Sequence, residues 1–133
     1  MTDLAPVVAA AAWFDALGRG DVPAALSLLD EQILWHQPGA NPLSGDHTGP
    51  EAVGHLLARM MEASAGSFRL AVAGPPMSNG DLVAVPVHFA GEREGASMDM
   101  NGVDLLRIQG GRIVEVHLFG EDAAAEDAFW ATA

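Results

Sequence analysis

Residues 96–109 read ASMDMNGVDLLRIQ, and the fold turns on the period of this stretch. Taken alternately, Met98, Met100, Gly102, Asp104, Leu106 and Ile108 share one face, and Ser97, Asp99, Asn101, Val103, Leu105 and Arg107 share the other. A period of two is that of a β-strand. Turn sequences suited to antiparallel hairpins flank it, EREG before and QGGR after, with SNGD further upstream. They separate strand segments near 67–76, 81–91, 96–109 and 112–119.

Before Gly66 the pattern is mostly helical. Between Ala5 and Gly18 the apolar Val8, Ala11, Ala12 and Leu17 fall near helical spacing, and Gly18-Arg19-Gly20 ends the run. Asp21 caps a second helix, with Pro23 in its first turn and Ala24, Ala25, Leu28 and Leu29 as its buried stripe. ILWHQ, residues 33–37, reads as a short strand, and Pro38 to Gly49 as a loop. A third helix starts at Thr48 or Gly49 and carries Val53, Leu56, Leu57, Met60 and Met61 on one face. The closing EDAAAEDAFW, residues 121–130, is helical, its acids a solvated face and its Phe129 and Trp130 packing the chain end onto the domain. With neither repeats nor a dividing linker, residues 1–133 read as one α+β domain with helices on one face of a curved antiparallel sheet.

Composition narrows the function classes. A 133-residue chain, 50% hydrophobic and 18% charged, has a globular balance and room for one core. No apolar run approaches the roughly 18 residues of a membrane span, and VVAAAAWF lacks the basic flank of a signal peptide. The absence of cysteine excludes disulfides, thiol nucleophiles and zinc–thiolate sites, and a cytoplasmic setting is expected. A net charge of −12 opposes nucleic acid and anionic membranes and favours neutral or cationic small partners.

Asp104 is the one charge on the apolar face of its strand. A carboxylate among apolar side chains is costly to ionise, so its pKa rises and the neutral acid becomes a hydrogen-bond donor. The alternative is a structural Asp bonded to a backbone amide or an arginine, placed there by a bulge at Asn101-Gly102.

The order AWFDALGRGDVPAALSLLDEQILWHQPG, then GPEAVGHLLARM, then VDLLRIQGGRIVEVHLFGED resembles the nuclear transport factor 2-like superfamily, and within it the SnoaL-like polyketide cyclases and ketosteroid isomerases. The resemblance implies a cone: a strongly curved sheet wrapped against three helices of the N-terminal half, a short C-terminal helix, and a deep apolar pocket. It also implies a homodimer paired through the outer sheet face, which here carries Val103, Leu105, His88 and His117. Carried across, the isomerase's phenolic oxyanion donor falls at Trp13, its general base at Gln37 and its neutral aspartic acid at Asp104. An amide abstracts no proton, so the resemblance does not extend to steroid isomerisation by that route. Trp13 is either an indole donor or a core filler. The implied pocket wall is Trp13, Gln37, Leu56, Met60, Val87, Met100, Asp104, Val116 and Leu118, its methionines adaptable to a flat or branched apolar ligand.

Strand parity sets Ile33, Trp35 and Gln37 against Leu34 and His36. The resemblance assigns the Gln37 face to the pocket, which makes Gln37 an orienting amide. His36 is either a substitute base, turned to the pocket mouth by a bulge, or a structural histidine. His47 lies in the loop, His55 points to solvent, and His88 and His117 face outward. No pair of these histidines has metal-site spacing, although histidines from different strands can converge, so neither metal nor cofactor is expected. Two functions follow. One is a cofactor-free SnoaL-like enzyme (cyclase, isomerase, dehydratase or epoxide hydrolase) with catalytic Asp104 and His36 acting on an apolar carbonyl, enol or epoxide. The other is a noncatalytic ligand-binding or dimerisation module of the same fold.

Overall fold

A computed structural model of the chain describes residues 5–133. Its elements run α1 (Ala5–Gly18), α2 (Val22–Leu26), β1 (Leu29–Gln37), β2 (Gly45–Thr48), α3 (Pro50–Ala63), β3 (Arg69–Val72), β4 (Met77–Asn79), β5 (Leu82–Arg93), β6 (Ala96–Gln109), β7 (Arg112–Gly120) and α4 (Ala123–Trp130). The strands form one curved, unclosed sheet in the order β2-β1-β7-β6-β5-β3, with β4 also paired to β5. Among the described residues no helix is long and apolar enough to cross a membrane.

The strand alternation of 96–109 holds: Met98, Met100, Asp104, Leu106 and Ile108 are buried, facing Val83, Val85, Val87 and Phe89 of the same sheet face. The hairpin turns fall where the glycines Gly80, Gly95, Gly110 and Gly111 supply positive φ. One pair departs from the antiparallel expectation: β1 runs parallel to β7, with Trp35 beside Val116 and His36 beside His117. Between Arg107 and Ile108 the β6–β7 register shifts, and this bulge lets both Ile113 and Val116 stay buried while Glu115 and His117 turn outward.

Several local expectations are corrected. The predicted loop from Pro38 to Gly49 contains β2, which pairs antiparallel with the end of β1, so His47 lies on a strand. The segment near 67–76 shortens to β3, and α2 is only Val22–Leu26, because Leu29 already begins β1. The stripe assigned to α1 is rotated: Val8 is 65% exposed, whereas Ala9, Ala10, Trp13, Phe14 and Ala16 are buried. In a helix that is apolar almost all round, the two large aromatic rings decide which side turns inward, because they bury the most area. Asp21 caps α2 as expected, its side chain accepting from the Ala24 N–H at 3.1 Å. All the helix-derived core, together with Phe129 and Trp130 of α4, joins the buried sheet face in one cluster.

Candidate active site

The helices leave a cavity of about 500 Å³ over one end of the sheet. Trp13 and Leu17 of α1, Trp35 and Gln37 of β1, Leu57, Met60 and Met61 of α3, Phe89, Asp104 and Leu118 of the central strands, and Glu126 and Trp130 of α4 line it. Of the expected wall, Trp13, Gln37, Met60, Asp104 and Leu118 are there. Leu56, Val87, Met100 and Val116 are not. Each is at most 3% exposed and packed into the core, because the cavity opens above the tightly filled middle of the sheet and its helices. Met100 instead borders a separate, more polar groove of about 630 Å³ near the start of α4.

Asp104 is 8% exposed and sits between Val85 of β5 and Leu118 of β7 in the strand register. Burial pushes its pKa up to about 7, and the charge of Glu126 adds to the rise. Among the described residues no group donates a hydrogen bond to its carboxyl, and no buried side-chain oxygen or nitrogen is sealed away without a partner. The carboxyl therefore opens on the cavity it lines. Among the described residues neither a backbone amide nor an arginine holds it, so the structural alternative has no partner there.

Gln37 is fixed by a neighbour on its own strand face. The Trp35 indole N–H donates to Gln37 Oε1 at 2.9 Å. An indole can only donate, so the amide must present its carbonyl there and keep its NH2 as a donor for the cavity. Trp13 tilts against Trp35 with ring centroids 5.9 Å apart. It is 2% exposed, and no acceptor of the described residues takes its indole N–H, so it both fills core and offers a donor.

His36 is the main correction. It lies on the opposite face of β1, where Nδ1 is 2.8 Å from Asp46 and Nε2 is 3.1 Å from Glu115, and its ring stacks on His117 at 4.2 Å. No bulge turns it toward the cavity, because β2 pairs with β1 through His36 and Gln37 and locks the parity. It does not line the cavity that Asp104 lines, so it is not placed as the substitute base.

Glu126 replaces it as the second ionisable group. The helical tail is not wholly a solvated face: Glu126 is half-buried and lines the cavity, and burial, then Asp127 and Asp122, raises its pKa. It reaches the sheet because β7 ends in Gly120, where a Cβ would overlap Glu126 Oε1. The spacing gave a signal for this, since Glu126 stands one helical turn before Trp130 and so shares its inward side.

The curved, unclosed sheet of seven strands with its four helices is the nuclear transport factor 2-like, cystatin-like fold. Residues 10–116 match the SnoaL-like domain, and the chain belongs to that family. A solved protein of unknown function with a cystatin-like fold, from Xanthomonas campestris, is 41% identical, with a TM-score of 0.90 over 95% of this chain and 98% of its own. An uncharacterised protein of Mycobacterium tuberculosis H37Rv is 28% identical over 98% of this chain and 100% of its own length. TerC, crystallised with polyporic acid, has the same fold at 19% identity, with a TM-score of 0.81 over 94% of this chain and 98% of its own.

Proposed function

We propose that this chain is a cofactor-free acid–base enzyme of SnoaL-like type, acting on an apolar carbonyl, enol or epoxide compound bound in the 500 Å³ cavity. Asp104, whose raised pKa of about 7 keeps a large fraction of it protonated near neutral pH, donates a proton or hydrogen bond to the substrate oxygen. Glu126, sharing the cavity, is the general base in place of His36, and Gln37 and Trp13 orient the substrate with their N–H groups. Two carboxyls whose charges oppose each other favour one protonated and one ionised partner, which is the pairing that general acid–base catalysis needs. The observation that carries this reading is Asp104 itself. An acid buried without a partner costs stability, and a pocket that merely holds an apolar ligand gains nothing from it.

TerC's co-crystallisation with polyporic acid makes that compound a suitable first probe. All three tryptophans of the chain line the cavity, so ligand entry is read directly by tryptophan fluorescence. Turnover of a panel of ring ketones, enols and epoxides is expected to fall on Asp104→Asn, which keeps the shape but loses the transferable proton. It should fall further, by something like 10²–10⁴-fold, on Asp104→Leu. If both variants bind polyporic acid as the parent does and only their thermal stability moves, the noncatalytic binding module is the better reading.

The outer sheet face supports a homodimer as part of the same proposal. Val103 and its cross-strand partner Phe119 are 37% and 56% exposed on the side away from Asp104. Sedimentation at micromolar concentration is expected to show twice the 13.8 kDa of one chain, and a lone 13.8 kDa species would rule pairing out.

A further inference from the structure

The geometry points to a divalent transition-metal site on the outer face of the sheet, formed by His36 Nε2, His117 Nε2 and Glu115 Oε2, with Asp46 as its positioning residue. It is separate from the cavity, being on the other side of β1 and β7 from Trp35, Gln37 and Val116.

The backbone builds this cluster. His36 of β1 and His117 of β7 are direct register partners in the parallel pair, and Asp46 of β2 is the partner of His36 on its other side. Glu115 stands two residues before His117 on β7 and therefore on the same face. The three ligand atoms lie within 4.8 Å of one another, with Glu115 Oε2 3.1 Å from His36 Nε2 and 3.3 Å from His117 Nε2.

The surrounding hydrogen bonds favour a metal. Asp46 accepts from His36 Nδ1–H at 2.8 Å, so once Nε2 gives up its proton its lone pair is the one free for an ion. That carboxylate–histidine arrangement is the usual support behind a metal-bound imidazole. Arg107 is occupied on the far side of Glu115, its Nε 3.4 Å from Oε1 and its Nη1 2.8 Å from Asp81, so Oε2 stays turned to the histidines. The two imidazoles stack at 16°, and His117, with 41% of its side chain exposed, has room to turn toward a shared ion. Two imidazoles and one carboxylate are a borderline donor set that suits Zn²⁺ and similar ions better than Mg²⁺ or Ca²⁺, and they leave a fourth position open to water. All three ligands belong to one chain, so the site does not depend on pairing through this face. An ion there would tie β1 to β7 across the parallel seam.

The competing arrangement is a metal-free cluster in which His36 bridges Asp46 and Glu115 through both ring nitrogens. Protons and metal compete for the same lone pairs, and this separates the two. Zn²⁺ titrated into the full chain by calorimetry at pH 7.5 is expected to bind at one equivalent per chain, and Co²⁺ to give the visible bands of a low-coordinate site. Affinity should fall as the pH drops, because protons occupy the imidazole nitrogens that the ion needs. His36→Ala and His117→Ala should each abolish the stoichiometric binding, Asp46→Asn should weaken it by about 10–100-fold, and His88→Ala should leave it unchanged. At a hundredfold excess over Kd, Zn²⁺ should raise Tm by about 5–10 °C. The proposal is overturned if the parent protein gives no stoichiometric heat, or if its isotherm superimposes on that of the His36→Ala/His117→Ala double variant. The pH series on the parent protein stands even if a variant fails to fold.

Discussion

Asp104→Asn is expected to stabilise the folded chain at pH 8 while leaving it nearly unchanged at pH 4. The folded carboxyl holds its proton up to about pH 7, whereas an exposed aspartate releases it near 3.9. Between those values the folded state binds more protons than the unfolded state, so stability falls as pH rises through the window and stays lowered above it. The gap corresponds to an upper limit of about 4 kcal/mol, shared in part with Glu126 because the two carboxyls titrate together. An Asn side chain carries no such charge, so the difference between parent and variant should grow from about pH 4 to pH 7 and then level off. Urea unfolding of both proteins across that range measures it, and the background effect of the −12 net charge largely cancels in the difference. A variant less stable than the parent at every pH would mean that Asp104 is held by hydrogen bonds in the folded state. Stability gained on removing a group that the enzyme reading requires for turnover is the trade expected of an active site.

Phe129→Ala is expected to cost about 3–5 kcal/mol, the range for removing a buried phenylalanine ring. Phe129 is 1% exposed and meets Trp130 edge to face with centroids 4.7 Å apart. Its ring lies on the bare backbone of Gly91, where a Cβ would come within 2.9 Å. Without it, α4 keeps its tether through Arg93, whose Nε and Nη2 donate to the Phe129 and Ala128 carbonyls at 2.8 and 3.0 Å. It loses the apolar anchor that seats Glu126 and Trp130 over the cavity. The pKa of Asp104 should accordingly drop back toward the ordinary carboxylate range, since both causes of its rise, burial and the charge of Glu126, are withdrawn. Chemical denaturation gives the first effect and carboxyl NMR titration the second. A loss below about 1 kcal/mol with the Asp104 titration unmoved would show that α4 is not held by this ring.

The sequence alone determined the α+β class, the hairpins around SNGD, EREG and QGGR, and the inward face of β6 with Asp104 on it. These are local properties: a period of two and a turn that admits positive φ are written in neighbouring residues. Parity also set Gln37 and His36 on opposite faces, and the family resemblance gave the Gln37 face to the pocket, but neither showed that β2 pairs beside them and locks His36 outward. Tertiary structure decided the rest. Leu56, Val87, Met100 and Val116 share faces with true cavity residues, and only the depth at which helices meet the sheet separates packed core from open wall. Glu126 lies 22 residues beyond Asp104, and Asp46 and Glu115 are 10 and 79 residues from His36. Those groups meet because strands of distant sequence lie side by side and α4 folds back over Gly120. No periodicity encodes such contacts, since they are fixed by the register between elements and by the burial it imposes.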